Sequence, residues 1–252
     1  MMPARAGSPA DSAAVQKPEL RMAASLPLSD RVYENRGNPA VVAAIQPWCR
    51  RILDIGCGAG DNAALLKAKF PECEISGITR SEKEADRARR FMKQCWVDDI
   101  EVDVPDGLKQ EQFDCLIFSH VLEHLRDPGQ VVARFSRLLR EGGMVVVAVP
   151  NVLFFKCRLR FLQGRFEYEP AGGIMDDTHL HFYSYATADR YLLAHAPDLR
   201  VTGKSGHGNL PLGKLRGRLI PRRWAAALDA WGCRRWPNLF GGQTVFTAIR
   251  ES

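Results

Sequence analysis

The sequence predicts one α/β domain, doubly wound around a seven-stranded, mostly parallel sheet whose last strand is antiparallel. Short apolar runs alternate with amphipathic segments along most of the 252 residues, which is typical of repeated strand–helix–strand units. Several runs are apolar throughout, as expected for strands whose two faces are both covered by helices. A glycine-rich turn follows the first run, at the position where open α/β sheets bind their ligands.

The predicted elements follow one another in a regular order. Amphipathic periodicity predicts helices at 62–70, 81–92, 128–140, 152–162 and 187–194. Ser81 and Glu84 form a capping box at the start of the second helix, and Gly142 with Gly143 ends the third. An irregular, aromatic-rich segment covers 165–183. The seven runs predicted to be strands are 51–55, 74–78, 94–97, 113–118, 144–149, 199–202 and 244–249.

Charge is distributed unevenly along the chain. The formal net charge is +6, yet residues 201–252 alone hold nine basic and two acidic residues. Most of this excess falls in 206–243, which we predict to be a helical insert on the acceptor side of the domain. Because the rest of the chain is nearly neutral, we expect no nucleic-acid partner. Residues 1–28 are rich in Ala, Ser and Pro, and we predict a disordered tail before a domain at 29–252.

Cysteine usage indicates the redox compartment. The seven cysteines form no C-x-x-C pair, their number is odd, and several lie inside apolar runs. This pattern is typical of buried free thiols in a reducing compartment and not of a disulfide framework or a zinc site. No run approaches the roughly 20 apolar residues of a membrane-spanning helix. We therefore predict a cytoplasmic protein without a bound metal.

The glycine-rich turn predicts a binding site for a small cationic nucleoside. It reads Asp54-Ile-Gly56-Cys57-Gly58-Ala-Gly60, between the first strand and the first helix. Glycines allow a tight turn and a close approach of backbone to ligand, and the following helix N-terminus offers unpaired N–H groups. The spacing is shorter than the dinucleotide pattern G-x-G-x-x-G. A carboxylate directly before the glycines suits a ligand that carries an ammonium group.

This turn resembles the first motif of the class I S-adenosylmethionine-dependent methyltransferases, which have a Rossmann-like fold. The resemblance covers roughly 33–202 and the last strand, and it implies S-adenosylmethionine as the cofactor. It also implies that Asp99 lies near the adenine amino group, that Ile100 lies against the ring, and that Ser119 and His120 border the methionine portion. The implied cofactor-binding residues are Asp54, Gly56, Cys57, Gly58, Gly60, Thr79, Arg80, Asp99, Ile100, Ser119 and His120.

The end of the second strand departs from that family's pattern. An acidic residue commonly grips the two ribose hydroxyls there, whereas this chain has Thr79-Arg80-Ser81. Cyclopropane-synthase-like members resemble this chain at that point, and a hydroxyl bonds ribose less strongly than a carboxylate. Arg80 could instead hold the 2′-phosphate of NADP, as in a reductase. A reductase would be expected to carry a Tyr-x-x-x-Lys pair, which the sequence lacks.

The acceptor side is predicted from the segment Asp176-Asp-Thr-His179-Leu-His181-Phe-Tyr183. It resembles methyltransferases found with glycan biosynthesis and ubiquinone-pathway O-methyltransferases, in which a Thr-His pair lies by the acceptor pocket. The resemblance implies O-methylation of a sugar, a lipid-linked glycan or a related small molecule, with His179 as the base. Alternatively, His179 only fixes the loop by hydrogen bonds. A domain that binds the cofactor without catalysis is the other alternative.

Two further patterns in the sequence bear on function. His120-Val-Leu-Glu123-His124 is an incomplete match to the Glu-x-x-Glu-His set of some metal-dependent O-methyltransferases; we expect these residues to brace the loop. The basic segment 206–243 leads into a helix with Trp224, Leu228 and Trp231 at helical spacing. Such a helix could rest on anionic lipid as a peripheral membrane contact. We predict instead that its apolar face caps the domain.

Overall fold

The fold is a seven-stranded sheet covered by helices on both faces. The computed structural model describes residues 36–169 and 172–251, so the predicted tail at 1–28 lies outside the described residues. The sheet order is β3-β2-β1-β4-β5-β7-β6, and β7 is antiparallel to both of its neighbours, as predicted. The strands are β1 Arg51–Ile55, β2 Glu74–Thr79, β3 Gln94–Val97, β4 Phe113–Ser119, β5 Leu139–Pro150, β6 Leu199–Gly208 and β7 Gly241–Arg250.

The helices agree with the predicted order but differ at their ends. The predicted helix 128–140 ends at Ser136, because β5 already begins at Leu139. One helix was not predicted; Asn38 caps it by accepting a hydrogen bond from the Ala40 N–H. The helices are α1 Pro39–Ala44, α2 Asp61–Lys69, α3 Glu82–Ala88, α4 Pro128–Ser136, α5 Phe155–Leu162, α6 Ala188–Leu192, α7 Gly213–Leu219, α8 Arg222–Arg235 and α9 Pro237–Phe240.

Two buried clusters lie on the two faces of the sheet. Leu53, Leu116 and Val145 point to one face, together with Phe135 of α4. Alternate residues of the same strands point to the other face, where α1 and α2 cover them. Because both faces are buried, the central strands are apolar at positions that point to either face. This explains why the strand runs in the sequence show no alternation.

The insert after β6 is shorter than predicted, and its helix α8 packs on the domain through a different face. Since β6 extends to Gly208 and β7 begins at Gly241, the insert spans 209–240 rather than 206–243. The predicted cap through Trp224, Leu228 and Trp231 is wrong, because these side chains are exposed. Helix α8 instead buries Gly232 and Cys233. A Cβ atom on Gly232 would lie 2.2 Å from Leu210 Cδ1, so only glycine allows this close approach.

The cysteines agree with the sequence expectation. All seven cysteines are free thiols and are buried, which the pattern predicted. Among the described residues, each helix is too short or too polar to cross a bilayer.

Candidate active site

The glycine turn lies at the carboxyl edge of the sheet and needs its glycines for conformation and space. Gly56, Gly58 and Gly60 have φ angles of 77°, 52° and 84°, in the left-handed region that other residues avoid. A Cβ atom on Gly56 would lie 2.5 Å from Val121 Cγ2, and one on Gly60 would lie 2.8 Å from Ala88 Cα. A Cβ atom on Gly58 would have only the Glu84 carboxylate within 4 Å. The turn is therefore packed against the protein at Gly56 and Gly60, and it leaves space for a ligand at Gly58.

The turn provides a first testable prediction. Replacing Gly60 with Ala should lower the free energy of unfolding by about 3 kcal/mol, because the new Cβ is strained in φ and meets the α3 backbone. Gly142→Ala is the matched control: its φ is +71°, but its Cβ would have no neighbour within 4 Å. The control should cost only about 1 kcal/mol from backbone strain. Urea unfolding of both variants measures the difference, and equal losses would contradict the packing argument.

Asp54, the residue before Ile55 at the end of β1, carries a buried carboxylate that is incompletely bonded. Its Oδ2 accepts a hydrogen bond from Asn62 Nδ2 at 3.3 Å, whereas Oδ1 is buried and has no hydrogen-bond partner within the described part of the chain. Burial raises the pKa of this carboxyl to about 7, against the hydrogen bond from Asn62. A buried carboxylate without a full set of donors is costly. An ammonium group at this position would supply both the charge and the missing donors.

Cys57 cannot offer its side chain to a ligand in the crevice. The thiol is buried, with its Sγ atom 3.6 Å from Cys95 Sγ on β3. The Gly56 and Cys57 N–H groups both donate to the Ile78 carbonyl at 2.9 Å. Cys57 was predicted to bind the cofactor, and with its thiol buried it can contribute to the crevice only through its backbone.

Thr79 has an acidic partner that the sequence interpretation missed. Its Oγ1 donates to Glu84 Oε2 at 2.6 Å, and the Ser81 side chain accepts the Glu84 N–H in the predicted capping box. Helix α3 thus brings a carboxylate to the end of β2, where the strand itself lacks one. The capping box is the signal in the sequence for this contact, although by itself it predicts only the start of the helix.

Arg80, Asp99 and Ile100 lie at the same edge with different surroundings. Arg80 Nη2 and Asp99 Oδ2 form an ion pair at 3.0 Å, and both side chains are partly exposed. Ile100 is buried in the core cluster on the α4 face. The three residues follow β2 and β3 as predicted, with Asp99 already paired to a guanidinium.

His120 follows Ser119 at the end of β4 and is held by polar neighbours. Its φ of 55° is unusual for a residue other than glycine. The ring nitrogens lie 3.2 Å from Glu123 Oε1 and 2.8 Å from Gln243 Oε1. Burial opposes a charge on this ring, but the hydrogen bond and charge of Glu123 outweigh it and raise the pKa of His120. Gln243 comes from β7 and was not predicted to belong to the site.

Glu123 and His179, which are buried, and His124, which is half-buried, form a cluster beside His120. Each residue offers one ligand atom, and the three atoms lie within 4.8 Å of one another. Glu123 and His124 belong to the turn after β4, and the loop that carries His179 is joined to it by the Leu180 and His181 N–H groups, which donate to the Glu123 carbonyl. This set differs from the one considered in the sequence, because His179 takes the place of His120.

Hydrogen bonds fix which nitrogen of each imidazole carries the proton. His179 Nδ1 donates to the Ile174 carbonyl at 3.1 Å, and His124 Nδ1 donates to the Thr178 carbonyl and hydroxyl oxygens. The Thr178 hydroxyl proton goes to Asp176. In the neutral rings each Nε2 therefore carries a lone pair.

These lone pairs converge with an unsatisfied carboxylate. His179 Nε2 lies 4.0 Å from Glu123 Oε1, and Glu123 Oε2 is buried with no hydrogen-bond partner among the described residues. Burial lowers the pKa of His179, against the charge of Glu123. Three acceptor groups thus meet in one place, and they fit a proton donor or a cation between them. A backbone carbonyl on the far nitrogen is the usual partner of a metal-binding histidine.

The fold and this site define a class: an α/β protein that binds a cationic nucleoside at a glycine turn, beside a polar cluster. The family described as "Methyltransferase domain" matches residues 20–195, which is most of the chain. The chain belongs to this family, and it is a class I S-adenosylmethionine-dependent methyltransferase in fold and cofactor. The resemblance seen in the sequence is confirmed at that level, and the reductase alternative is removed.

Two kinds of similarity to known proteins are found, one over part of the chain and one in the fold. The trans-aconitate 2-methyltransferase of Acidovorax ebreus is 29% identical over 129 residues, which are 50% of this chain and 49% of that protein. The chain thus spans about half the length of this curated relative. An S-adenosylmethionine-dependent methyltransferase structure from Archaeoglobus fulgidus has a TM-score of 0.54 at 20% identity, covering 81% of this chain and 87% of that one. The plantazolicin methyltransferase BpumL in complex with SAH has a TM-score of 0.53 at 16% identity, covering 81% and 77%.

Proposed function

We propose that this protein transfers the methyl group of S-adenosylmethionine to a hydroxyl oxygen of a sugar, a lipid-linked glycan or a related small molecule. The observation that carries the proposal is the Glu123–His124–His179 cluster, which adjoins His120 at the carboxyl edge of the sheet. A hydroxyl acceptor must lose a proton as it is methylated, whereas a neutral amine is already nucleophilic. Lone-pair groups next to the cofactor crevice are what such an acceptor requires.

The cofactor site assigned to this reaction uses the predicted residues with one addition. Asp54 binds the ammonium group, Gly58 gives the ligand access to the backbone, and Ser119 and His120 border the methionine portion. Thr79 and Glu84 together take the ribose hydroxyls, and Asp99 with Ile100 takes the adenine. In this assignment Arg80 orients Asp99 through their ion pair.

On the acceptor side, His179 is the proposed base. Its Nδ1–H is held by the Ile174 carbonyl, so that Nε2 is left with a lone pair. Its lowered pKa keeps the ring neutral near pH 7, as a base requires. Holding the hydroxyl in line with the sulfonium methyl group supplies much of the remaining rate acceleration.

The first experiment identifies the acceptor and tests for turnover. Purified protein and isotopically labelled S-adenosylmethionine are added to a small-molecule and lipid extract, and mass spectrometry finds the labelled products. We expect the label on an oxygen atom. Label on nitrogen or carbon alone would overturn the proposal. Tight binding of S-adenosylhomocysteine without any turnover would favour the non-catalytic alternative.

The second experiment tests His179. We expect His179→Ala to lower kcat about 100-fold or more, the usual effect of losing a general base, while the affinity for S-adenosylhomocysteine changes little. His181→Ala is the matched control, because His181 lies two residues further along the same loop and, among the described residues, its ring hydrogen-bonds only by donating from Nε2 to the Arg126 carbonyl. If His179→Ala kept full turnover, His179 would be removed from the catalytic residues.

The same three residues could also hold a divalent cation, which would lower the pKa of an acceptor hydroxyl. Two imidazole nitrogens and a carboxylate are a ligand set for Mn²⁺, Fe²⁺ or Zn²⁺. Calorimetric titration of the metal-free protein with Mn²⁺ and Zn²⁺ tests this independently of turnover. Binding that is lost in His124→Ala and kept in His181→Ala would assign the cation to the cluster. Absence of binding would leave His179 as the proton acceptor.

A further inference from the structure

The insert between β6 and β7 presents apolar side chains outward on two consecutive helices. On α8, Trp224, Leu228 and Trp231 are spaced i, i+4 and i+7 and keep 60%, 37% and 48% of their surface exposed. Contiguous exposed apolar surface of this kind marks a binding surface on a protein. The exposed apolar residues of α7 and the residue before it are Leu212, Leu215 and Leu219.

The insert is held on the domain by other residues than Trp224 and Leu228, whereas the Trp231 ring also packs edge-on against Trp236. Helix α8 approaches Leu210 through Gly232 and buries Cys233. Arg216 of α7 binds Asp229 of α8 through Nη2 and Oδ1 at 2.7 Å, which joins the two helices. The polar and small residues therefore hold the insert on the domain. The exposed surface of Trp224, Leu228 and Trp231 is left for a partner.

The charge around these apolar side chains has one sign. Asp229 is the single acidic residue within 209–240, and it is already paired with Arg216. Arg235 also lies over the Trp236 ring, 5.1 Å from its centroid. The partner must therefore combine negative charge with an apolar interior. Among the described side chains of the insert, the exposed basic ones are Arg218, Arg222, Arg223, Arg234 and Arg235.

We propose that residues 212–236 are a docking surface for an anionic phospholipid bilayer. Trp and Leu enter the boundary between headgroups and acyl chains, and the arginines bind the lipid phosphates. Trp is favoured at that boundary because its ring is apolar and its N–H remains in polar surroundings. The apolar side chains thus match the acyl boundary of the bilayer, and the arginines match its phosphate layer.

Topology connects this surface with the candidate active site. Strand β6 ends and β7 begins at the carboxyl edge of the sheet, because Pro150 at the end of β5 pairs with Gln243 near the start of β7. Asn151 Nδ2 also donates to the Asn238 carbonyl of α9. The insert therefore leaves the domain at the edge that carries the glycine turn. Docking would place the acceptor side of the domain at the bilayer. This consequence rests on the proposed function, whereas lipid binding itself does not.

The test is co-sedimentation of the full chain with phosphatidylcholine vesicles that contain or lack phosphatidylglycerol. We expect binding to the anionic vesicles, a blue shift of tryptophan fluorescence, and weakening at high salt. Trp224→Ser with Trp231→Ser should abolish the shift and most of the binding. Arg222→Glu with Arg223→Glu should weaken binding at least about fivefold for each arginine lost.

Controls separate docking from folding and from catalysis. Trp48→Ala removes a tryptophan that is also exposed but lies before β1, at the opposite edge of the sheet, and Arg90→Glu reverses an exposed charge on that side of the domain. Both should bind vesicles like the unmodified chain, and all variants should still bind S-adenosylhomocysteine. Absence of binding to anionic vesicles, equal binding to neutral ones, or unchanged binding of the insert variants would each overturn the proposal.

Discussion

Replacing Asp54 with Asn is expected to weaken binding of S-adenosylhomocysteine by about 100- to 1,000-fold. The carboxylate is buried, and its Oδ1 has no hydrogen-bond partner within the described residues, so it is the group proposed to pair with the ammonium of the cofactor. Removing one member of a buried ion pair costs about 3–5 kcal/mol, and each 1.4 kcal/mol is a factor of about ten in affinity. Isothermal titration calorimetry at pH about 8, where Asp54 is ionised, measures the loss.

A matched control distinguishes this effect from general damage. Asp114 is equally buried but lies at the start of β4, where its carboxylate accepts the Arg50 and Arg51 N–H groups. Asp114→Asn should lower stability and leave cofactor affinity nearly unchanged. If both variants bound the cofactor equally well, Asp54 would not be part of the site.

The pKa of Asp54 also gives the pH dependence of this binding a definite sign. Because burial raises the pKa to about 7, the site is protonated below that value, and the ammonium must displace the proton. Affinity for S-adenosylhomocysteine should therefore rise by up to about tenfold per unit as the pH increases toward 7, and then level off. Asp54→Asn should lack this slope. A slope that persists in the variant would assign the proton to another group.

Stability should change with pH in the opposite direction. A carboxyl with a raised pKa in the folded state stabilises the fold fully below its unfolded pKa, and this contribution is lost as the pH rises through about 7. Between pH about 4 and 7 the ligand-free protein should thus lose unfolding free energy relative to Asp54→Asn, by about 4 kcal/mol in total. Above pH about 7, the ionised Asp54 therefore lowers the free energy of unfolding, and in the same pH range the protein binds its cofactor best.

The sheet could be predicted because burial on both faces leaves a direct trace in the sequence. Runs such as 144–149 are apolar because helices cover each side, and no distant information is needed to recognise them. The glycine turn was recognisable for a similar reason. Gly56 and Gly60 have positive φ angles, and this backbone restriction is local, although the space for a side chain is closed by the distant residues Val121 and Ala88.

The remainder of the site depends on contacts between distant segments. Glu84 stands in for the missing acid at the end of β2 only because α3 folds back onto Thr79. Similarly, His179 acquires its partners because the loop after α5 bonds to the Glu123 carbonyl. The apolar face of α8 also could not be placed from the sequence alone. Periodicity identifies that face, but the contact of Gly232 with Leu210 decides which face of the helix is buried.

Glu123→Gln is expected to separate stability from activity. Glutamine has nearly the same shape but no charge, and its amide N–H group can donate toward the Nε2 lone pair of His179, which now lies 4.0 Å from Glu123 Oε1. The change also removes a buried charge whose Oε2 has no hydrogen-bond partner in the described structure. The midpoint of thermal unfolding should therefore stay the same or rise.

Turnover of the same variant should fall by about 100-fold or more, because the lone pair of His179 is then occupied and the cluster loses its negative charge. Any affinity of the cluster for divalent cations should be lost as well. Glu141→Gln is the control, since Glu141 is exposed at the start of β5 and its substitution removes the same charge far from the cluster. Differential scanning fluorimetry and the labelled-methyl assay, run together, measure both effects. A variant that loses stability and turnover together would show that Glu123 braces the loop; a stable but inactive one assigns its charge to the reaction.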